Sequence, residues 1–214
     1  MRNAEPESVV VLTAIIKQGT NLTLDIGAGG KPKGDINIDV RPLPGIQVIC
    51  DVAQLPFNRA VFTHAFLSHV IEHLRYKDAI NLLREVNRIL KIDGKIEILT
   101  PNFQALGYLK AWLLGGIEFK HVPLLYAPLT GLQDYKENVH KSHWTCKLLK
   151  LYVTQQGFRI SHLKGELEYK GRFFLLRLFT KVFPTRGGDV HLIAIKEREA
   201  SSYKHTIIKK VKSP

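Results

Sequence analysis

Three stretches of this chain carry residue types at spacings that suit chemistry. Leu24-Asp25-Ile26-Gly27-Ala28-Gly29-Gly30 is a β-rich run that opens into glycines. Glycines there let backbone approach a ligand closely at the carboxyl edge of a sheet, although the same string also suits a plain tight turn. It is not a dinucleotide fingerprint, because the third glycine of G-x-G-x-x-G falls on Pro32, and not a P-loop, because proline follows Gly30-Lys31. Asp39 closes the run Ile36–Val40, where a carboxylate can accept both hydroxyls of a ribose. Asp51 follows the run Ile46–Cys50, where an acid is placed to accept a hydrogen bond from an adenine amino group. Each acid alone is a common turn or cap residue. In the order glycine loop, acid, acid, they form a joint signal stronger than any member.

The third stretch is histidine-rich. His69-Val70-Ile71-Glu72-His73 matches the H-x-x-E-H string of zinc peptidases, in which two histidines four apart on one helix share a metal and the glutamate is general base. Here the string directly follows an apolar run and is succeeded at once by Leu74-Arg75-Tyr76, where helical patterning restarts. A zinc hydrolase is therefore the remote alternative, no metal site is assigned, and Glu72 and His73 are read as pocket wall and helix cap. His121, His140 and His143 have only part of a metal-ligand spacing. His140 is the candidate catalytic residue, as general base or as a hydrogen-bond partner of an acceptor, against the plainer reading of a solvated loop histidine.

Short β-rich runs must position these groups: Asn21–Ile26, Ile36–Val40, Ile46–Cys50 and Ala60–Leu67. Apolar residues at Ala79, Ile80, Leu82, Leu83, Val86, Ile89 and Leu90 predict an amphipathic helix over Lys77–Lys91, with Asp78 as N-cap and Asp93-Gly94 as exit turn. Lys95–Thr100 is a strand ended by Pro101. Thr145–Gln156 is a helix closed by Gly157, and Phe158–Leu167 and Asp189–Lys196 are two more strands. Strands alternating with helices over the first hundred residues predict an α/β fold with a mostly parallel sheet. Phe103–Gly116 reads as apolar, and Ile117–His143 as a long loop of the kind that forms a lid. Phe173–Phe179 is read as a covering helix in preference to a membrane or partner contact.

Composition narrows the class. The chain has 214 residues, 45% hydrophobic and 23% charged, which suits one domain and excludes wholesale disorder. No apolar run approaches the roughly 20 residues of a membrane span, and Met1–Glu7 has no apolar signal segment. The two cysteines, Cys50 and Cys146, exclude a disulfide framework and suit a reducing cytoplasm. Lys and Arg number 31 against 19 Asp and Glu, a net charge of +12. Residues 161–214 hold twelve of those bases and five of the acids, so nucleic acid is a possible partner of the basic C-terminal quarter, against the bland reading of a solvated tail.

Taken together, these strings resemble the class I S-adenosylmethionine-dependent methyltransferases. The resemblance is to the branch with D-x-x-x-L-P-F and H-V-[IL]-E-H strings, present as Asp51–Phe57 and His69–His73. It continues through Leu90-Lys91-Ile92-Asp93-Gly94, Pro101-Asn102, Asn138-Val139-His140 ahead of Trp144, Leu148-Leu149 and Gly157-Phe158. It implies a Rossmann-like, doubly wound, mostly parallel seven-stranded sheet with helices on both faces and S-adenosylmethionine as cofactor. It also implies Asp25, Gly27, Ala28 and Gly29 near the methionine moiety, Asp39 on the ribose, Asp51 and Val52 at the adenine, and Ser68-His69 beside the sulfonium. One departure is a first crossover of nine residues, Gly27–Asp35, where a helix normally stands. The domain spans residues 21–199, with a lid at about 103–143, an N-terminal segment 1–20 and a basic tail 200–214. No Asp/Asn-Pro-Pro-Tyr string follows the fourth strand, which argues against amino-group methylation of adenine or glutamine. A small-molecule, lipid or glycan acceptor is expected, with oxygen and carbon nucleophiles both open.

Overall fold

The computed structural model describes residues 21–52, 54–104, 139–166, 184–185 and 188–200. The segment 1–20, most of the lid, Phe173–Phe179 and the tail beyond Ala200 lie outside the described residues.

Four parallel strands build the first half: Thr23–Ile26 (β1), Ile36–Asp39 (β2), Val48–Ile49 (β3) and Phe62–Ser68 (β4). The helix Tyr76–Ile89 (α1) leads into Leu90–Pro101 (β5), and Cys146–Gln155 (α2) leads into Phe158–Glu166 (β6) and Asp189–Lys196 (β7). The seven strands stand in the order β3-β2-β1-β4-β5-β7-β6, with β7 antiparallel to both neighbours. The sheet is thus the Rossmann-like, mostly parallel one that the sequence implies. β1 pairs with β2 on one side and β4 on the other, so strand order reverses there. In open α/β sheets the crevice outside the carboxyl ends at such a reversal is where ligands bind.

Burial alternates along β5 and β7. Ile96, Ile98, Leu192 and Ala194 are fully buried, while Glu97, Leu99, His191 and Ile193 on the other face are only half-buried. The core continues into α1, whose Ala79, Leu82, Leu83, Val86 and Ile89 are inaccessible. The helix begins one residue before the predicted start. Arg75 takes the cap position without a side-chain bond, and Asp78 sits inside the first turn, where its charge favours the helix dipole. At the far end, Asp93 has φ +63 and the pairing of β4 with β5 slips between Phe62 and His64, so the predicted turn is a bulge within the strand. In α2, Thr145 caps the helix by accepting a hydrogen bond from the Leu148 amide.

The nine-residue crossover is held by side chains in place of a helix. The Asp35 carboxylate accepts hydrogen bonds from the Thr23 amide (2.9 Å) and hydroxyl (2.7 Å), and the Asp35 amide donates back to Thr23 Oγ1 at 2.9 Å. Those bonds hold the Asp35 carboxyl below the ordinary carboxylate range. The buried Asn37 amide both accepts from the Gly34 amide and donates to the Gly34 carbonyl. Gly34 lies so close to β1 that a Cβ would stand 2.7 Å from the Asp25 nitrogen and 2.7 Å from the Ile36 oxygen.

Candidate functional site

The carboxyl ends of β1, β2 and β4 enclose a cleft of about 220 Å³. It is bordered by Gly27, Asp39, Asp51, Val52 and His69, five of the nine residues that the sequence assigns to cofactor binding. Gly27 has φ +66, and a Cβ there would lie 2.6 Å from Val70 Cγ2, so backbone forms this wall because no side chain fits. Ala28 contributes through its backbone, its amide donating to the Ile38 carbonyl at 3.0 Å. Gly29, with φ +58, turns its amide onto Asp39 Oδ2 at 2.9 Å.

Asp39 is 3% exposed and its carboxylate is already engaged. Besides Gly29, the Arg41 amide (2.9 Å) and Nε (3.1 Å) donate to Oδ1, and the guanidinium reaches Oδ2 at 3.4 Å. Burial pushes this carboxyl up, but the bonds and charge of Arg41 and the Gly29 amide outweigh it and hold it below the ordinary range. A carboxylate offers about four acceptor sites, so two ribose hydroxyls would take the places of the guanidinium while both backbone donors stay. Asp25, 2% exposed, accepts from the Lys33 amide at 2.9 Å. Burial raises its carboxyl, and the Lys33 bond and charge only partly offset that. Asp25 thus anchors the glycine loop from behind and is not among the residues bordering the cleft.

Ser68 goes elsewhere. It borders a separate cavity of about 110 Å³ together with Lys33, Phe66, Glu97, Leu99 and His191, on the half-buried side of the sheet. His69 next to it has φ +56, an uncommon conformation for a non-glycine residue, with its amide tied to the Leu99 carbonyl at 2.8 Å. That backbone turn faces His69 into the cleft and places its Nδ1 3.1 Å from Glu72 Oε1.

The H-x-x-E-H string does not lie on a long helix. Ile71–His73 is a single 3-10 turn, so the helical pair of histidines needed by a zinc peptidase is absent here. The turn instead receives the segment Val139–Thr145. The Lys141 and Ser142 amides donate to the Glu72 carbonyl (2.8 and 3.1 Å), and Ser142 Oγ donates to the Ile71 carbonyl at 3.1 Å. This docking sets the His140 ring edge-on to His73 at 5.0 Å and brings Lys141 to the cleft. His143 stacks on Phe103 at 5.0 Å, and His121 lies outside the described residues. Val40, Arg41, Val70, Leu74 and Lys141 border the cleft without any sequence signal of their own, whereas His73 borders it as the pocket-wall residue expected from the sequence. The resemblance string H-V-I-E-H also covers Val70.

The Asp51–Phe57 string divides between two jobs. Asp51 is exposed at the cleft, whereas Leu55 and Phe57 are 2% and 5% exposed in the core. Arg88 on α1 donates to the Leu55 and Phe57 carbonyls, and Glu85 accepts from the Leu55 amide, so L-P-F anchors the acid's loop to the helix.

These residues fit an adenosine-bearing cofactor. A buried carboxylate with displaceable partners faces the crevice, beside a glycine wall that a Cβ would block, with a second acid at the rim.

Residues 24–98 match a family model described as a methyltransferase domain. Several solved structures share the fold. An S-adenosylmethionine-dependent methyltransferase from Archaeoglobus fulgidus is 18% identical with TM-score 0.51, covering 89% of this chain and 93% of that one. One from Methanosarcina mazei is 18% identical with TM-score 0.52, covering 91% and 99%. A Thermotoga maritima protein described as a possible histamine N-methyltransferase is 16% identical with TM-score 0.54, covering 88% and 89%. No curated protein matches the chain.

Proposed function

We propose that this chain, whose residues 24–98 match a methyltransferase-domain model, is a class I S-adenosylmethionine-dependent methyltransferase that methylates an oxygen or carbon nucleophile on a small-molecule, lipid or glycan acceptor. The observation that carries the cofactor side is the meeting of Gly27, Asp39 and Asp51 in one cleft at the strand-order reversal. Asp39 would hold the ribose and Asp51 with Val52 the adenine, while His69 faces the same cleft from the end of β4. Asp25 would act through the glycine loop that it anchors. When bound, S-adenosylmethionine supplies a methyl group that its sulfonium makes electrophilic. The protein's part is to line up the acceptor with that methyl, exclude water and manage the acceptor's proton. His140, beside His73 at the rim, supports a role in that last task.

The acceptor reading rests on Ser68-His69-Val70-Ile71 standing where an amino-group methylase would carry its Pro-Pro-Tyr string. A nucleic-acid acceptor is the alternative, favoured by the net charge of +12. Incubating the pure protein with methyl-labelled S-adenosylmethionine and fractionated cell extract tests both. Label in a small-molecule, lipid or glycan fraction is expected. Label confined to RNA would move the assignment to the alternative, and no label in any fraction would contradict enzymatic transfer.

A further inference from the structure

Glu72, His73 and His140 present ligand atoms that all lie within 4.8 Å of one another, although 67 residues separate the last two. Glu72 is 1% exposed, and a buried carboxylate is costly unless it is paired. Thr100 Oγ1 donates to its Oε2 at 2.9 Å and fixes the plane of the carboxylate, leaving Oε1 turned towards His69 at 3.1 Å. His73 Nδ1 lies 3.3 Å from the Val139 carbonyl. That bond makes Nδ1 the protonated nitrogen and leaves the lone pair on Nε2, the way metal-bound imidazoles are oriented by an outer partner.

We propose that Glu72, His73 and His140 bind one divalent transition-metal ion at the rim of the cofactor cleft, and that an oxygen of the acceptor completes its coordination. Two imidazoles and one carboxylate suit zinc, manganese or iron better than magnesium or calcium, which prefer all-oxygen sites. Three protein ligands leave a coordination position open, as catalytic sites do. His73 also borders the cleft, so that position faces the space beside the cofactor. On the methyl-transfer reading, on which only this last step rests, the acceptor is a hydroxyl compound. Ligation lowers the hydroxyl pKa and releases its proton to solvent. The oxygen's electron pair then bonds to the methyl carbon, and the C–S pair stays on sulfur. His140 thereby serves as ligand and not as general base.

The test is calorimetric titration of the chelator-treated full chain with Zn²⁺ and with Mn²⁺, alongside Glu72→Gln, His140→Ala and His162→Ala. One ion per chain is expected, weakened at least tenfold by Glu72→Gln and His140→Ala and unchanged by His162→Ala. Glu72→Gln keeps the bond from Thr100, and His140 is only half-buried, so neither change threatens the fold. Bound Mn²⁺ should enhance water-proton relaxation, showing the open position. Absence of ion binding at millimolar metal, or binding equal in both ligand variants, overturns the site, and unenhanced relaxation overturns ligation of the acceptor. S-adenosylhomocysteine titrated into the same variants should bind within about twofold of the parent. Its failure to bind in every variant and in the parent would sink the cofactor reading while leaving the metal site standing.

Discussion

Asp25 and Asp39 are both buried at neighbouring strand ends, yet their surroundings push them in opposite directions. Burial dominates at Asp25 and raises its carboxyl, whereas Arg41 and the Gly29 amide more than offset burial at Asp39. The signs fix how each acts on stability. A raised carboxyl binds more protons in the folded than in the unfolded chain, so its contribution falls as pH rises from about 3.8 through the folded value. At neutral pH the ionised Asp25 therefore costs stability. Asp25→Asn removes the charge and keeps an oxygen to accept from the Lys33 amide. Thermal unfolding should show a higher Tm for Asp25→Asn at pH 7, with the gain shrinking as pH falls through the raised folded value and nearly gone by about pH 3.8. A lower Tm at pH 7 would contradict this. Both acids are legible in the sequence because they lie in β-rich runs. Arg41 is not, since nothing in a sequence shows a long side chain folding back two residues onto a carboxylate. Ser68 and His69 are adjacent in the sequence, but the left-handed turn at His69 separates them into different cavities.

At the scale of elements, the short first crossover is the feature that most departs from a doubly wound sheet. Its length was legible, and its means of support was not. Thr23, Asp35 and Asn37 read as polar positions in and beside strands, and only the parallel register of Leu24 with Ile36 brings them together. Gly34 is the tightest point. In Gly34→Ala the new methyl must displace the backbone of β1 or β2, at a cost of roughly 1–3 kcal/mol. For a chain of this size that is a fall in Tm of about 2–12 °C, with weaker cofactor binding because β1 carries the glycine loop. Gly30→Ala is the control. Nothing lies within 4 Å of its Cβ position, so stability should change by less than about 0.5 kcal/mol. Equal destabilisation of the two variants would show that contact with β1 does not hold the crossover. The helix α1 was legible from its periodicity, while the anchoring of L-P-F by Arg88 required its three-dimensional partner.

Across the whole molecule, the strand-order reversal at β1 gathers residues that are 24 positions apart, from Gly27 to Asp51, into one crevice. This much follows from the glycine, acid, acid order once the sheet is parallel. The placement of His140 does not, because it depends on Val139–Thr145 docking onto the 3-10 turn at Ile71–His73. The crevice sets Asp39 and Asp51 against Arg41 and Lys141 at its border, so its formal charge is balanced in a protein of net charge +12. The central claim is that this crevice holds the adenosyl group through Asp39. Calorimetry of S-adenosylhomocysteine with the parent and with Asp39→Ala tests it most directly. Loss of both ribose hydrogen bonds should cost roughly 2–3 kcal/mol, or about thirty- to a hundred-and-fifty-fold in Kd. Binding of equal strength in the two proteins, or none to the parent at millimolar ligand, would contradict it.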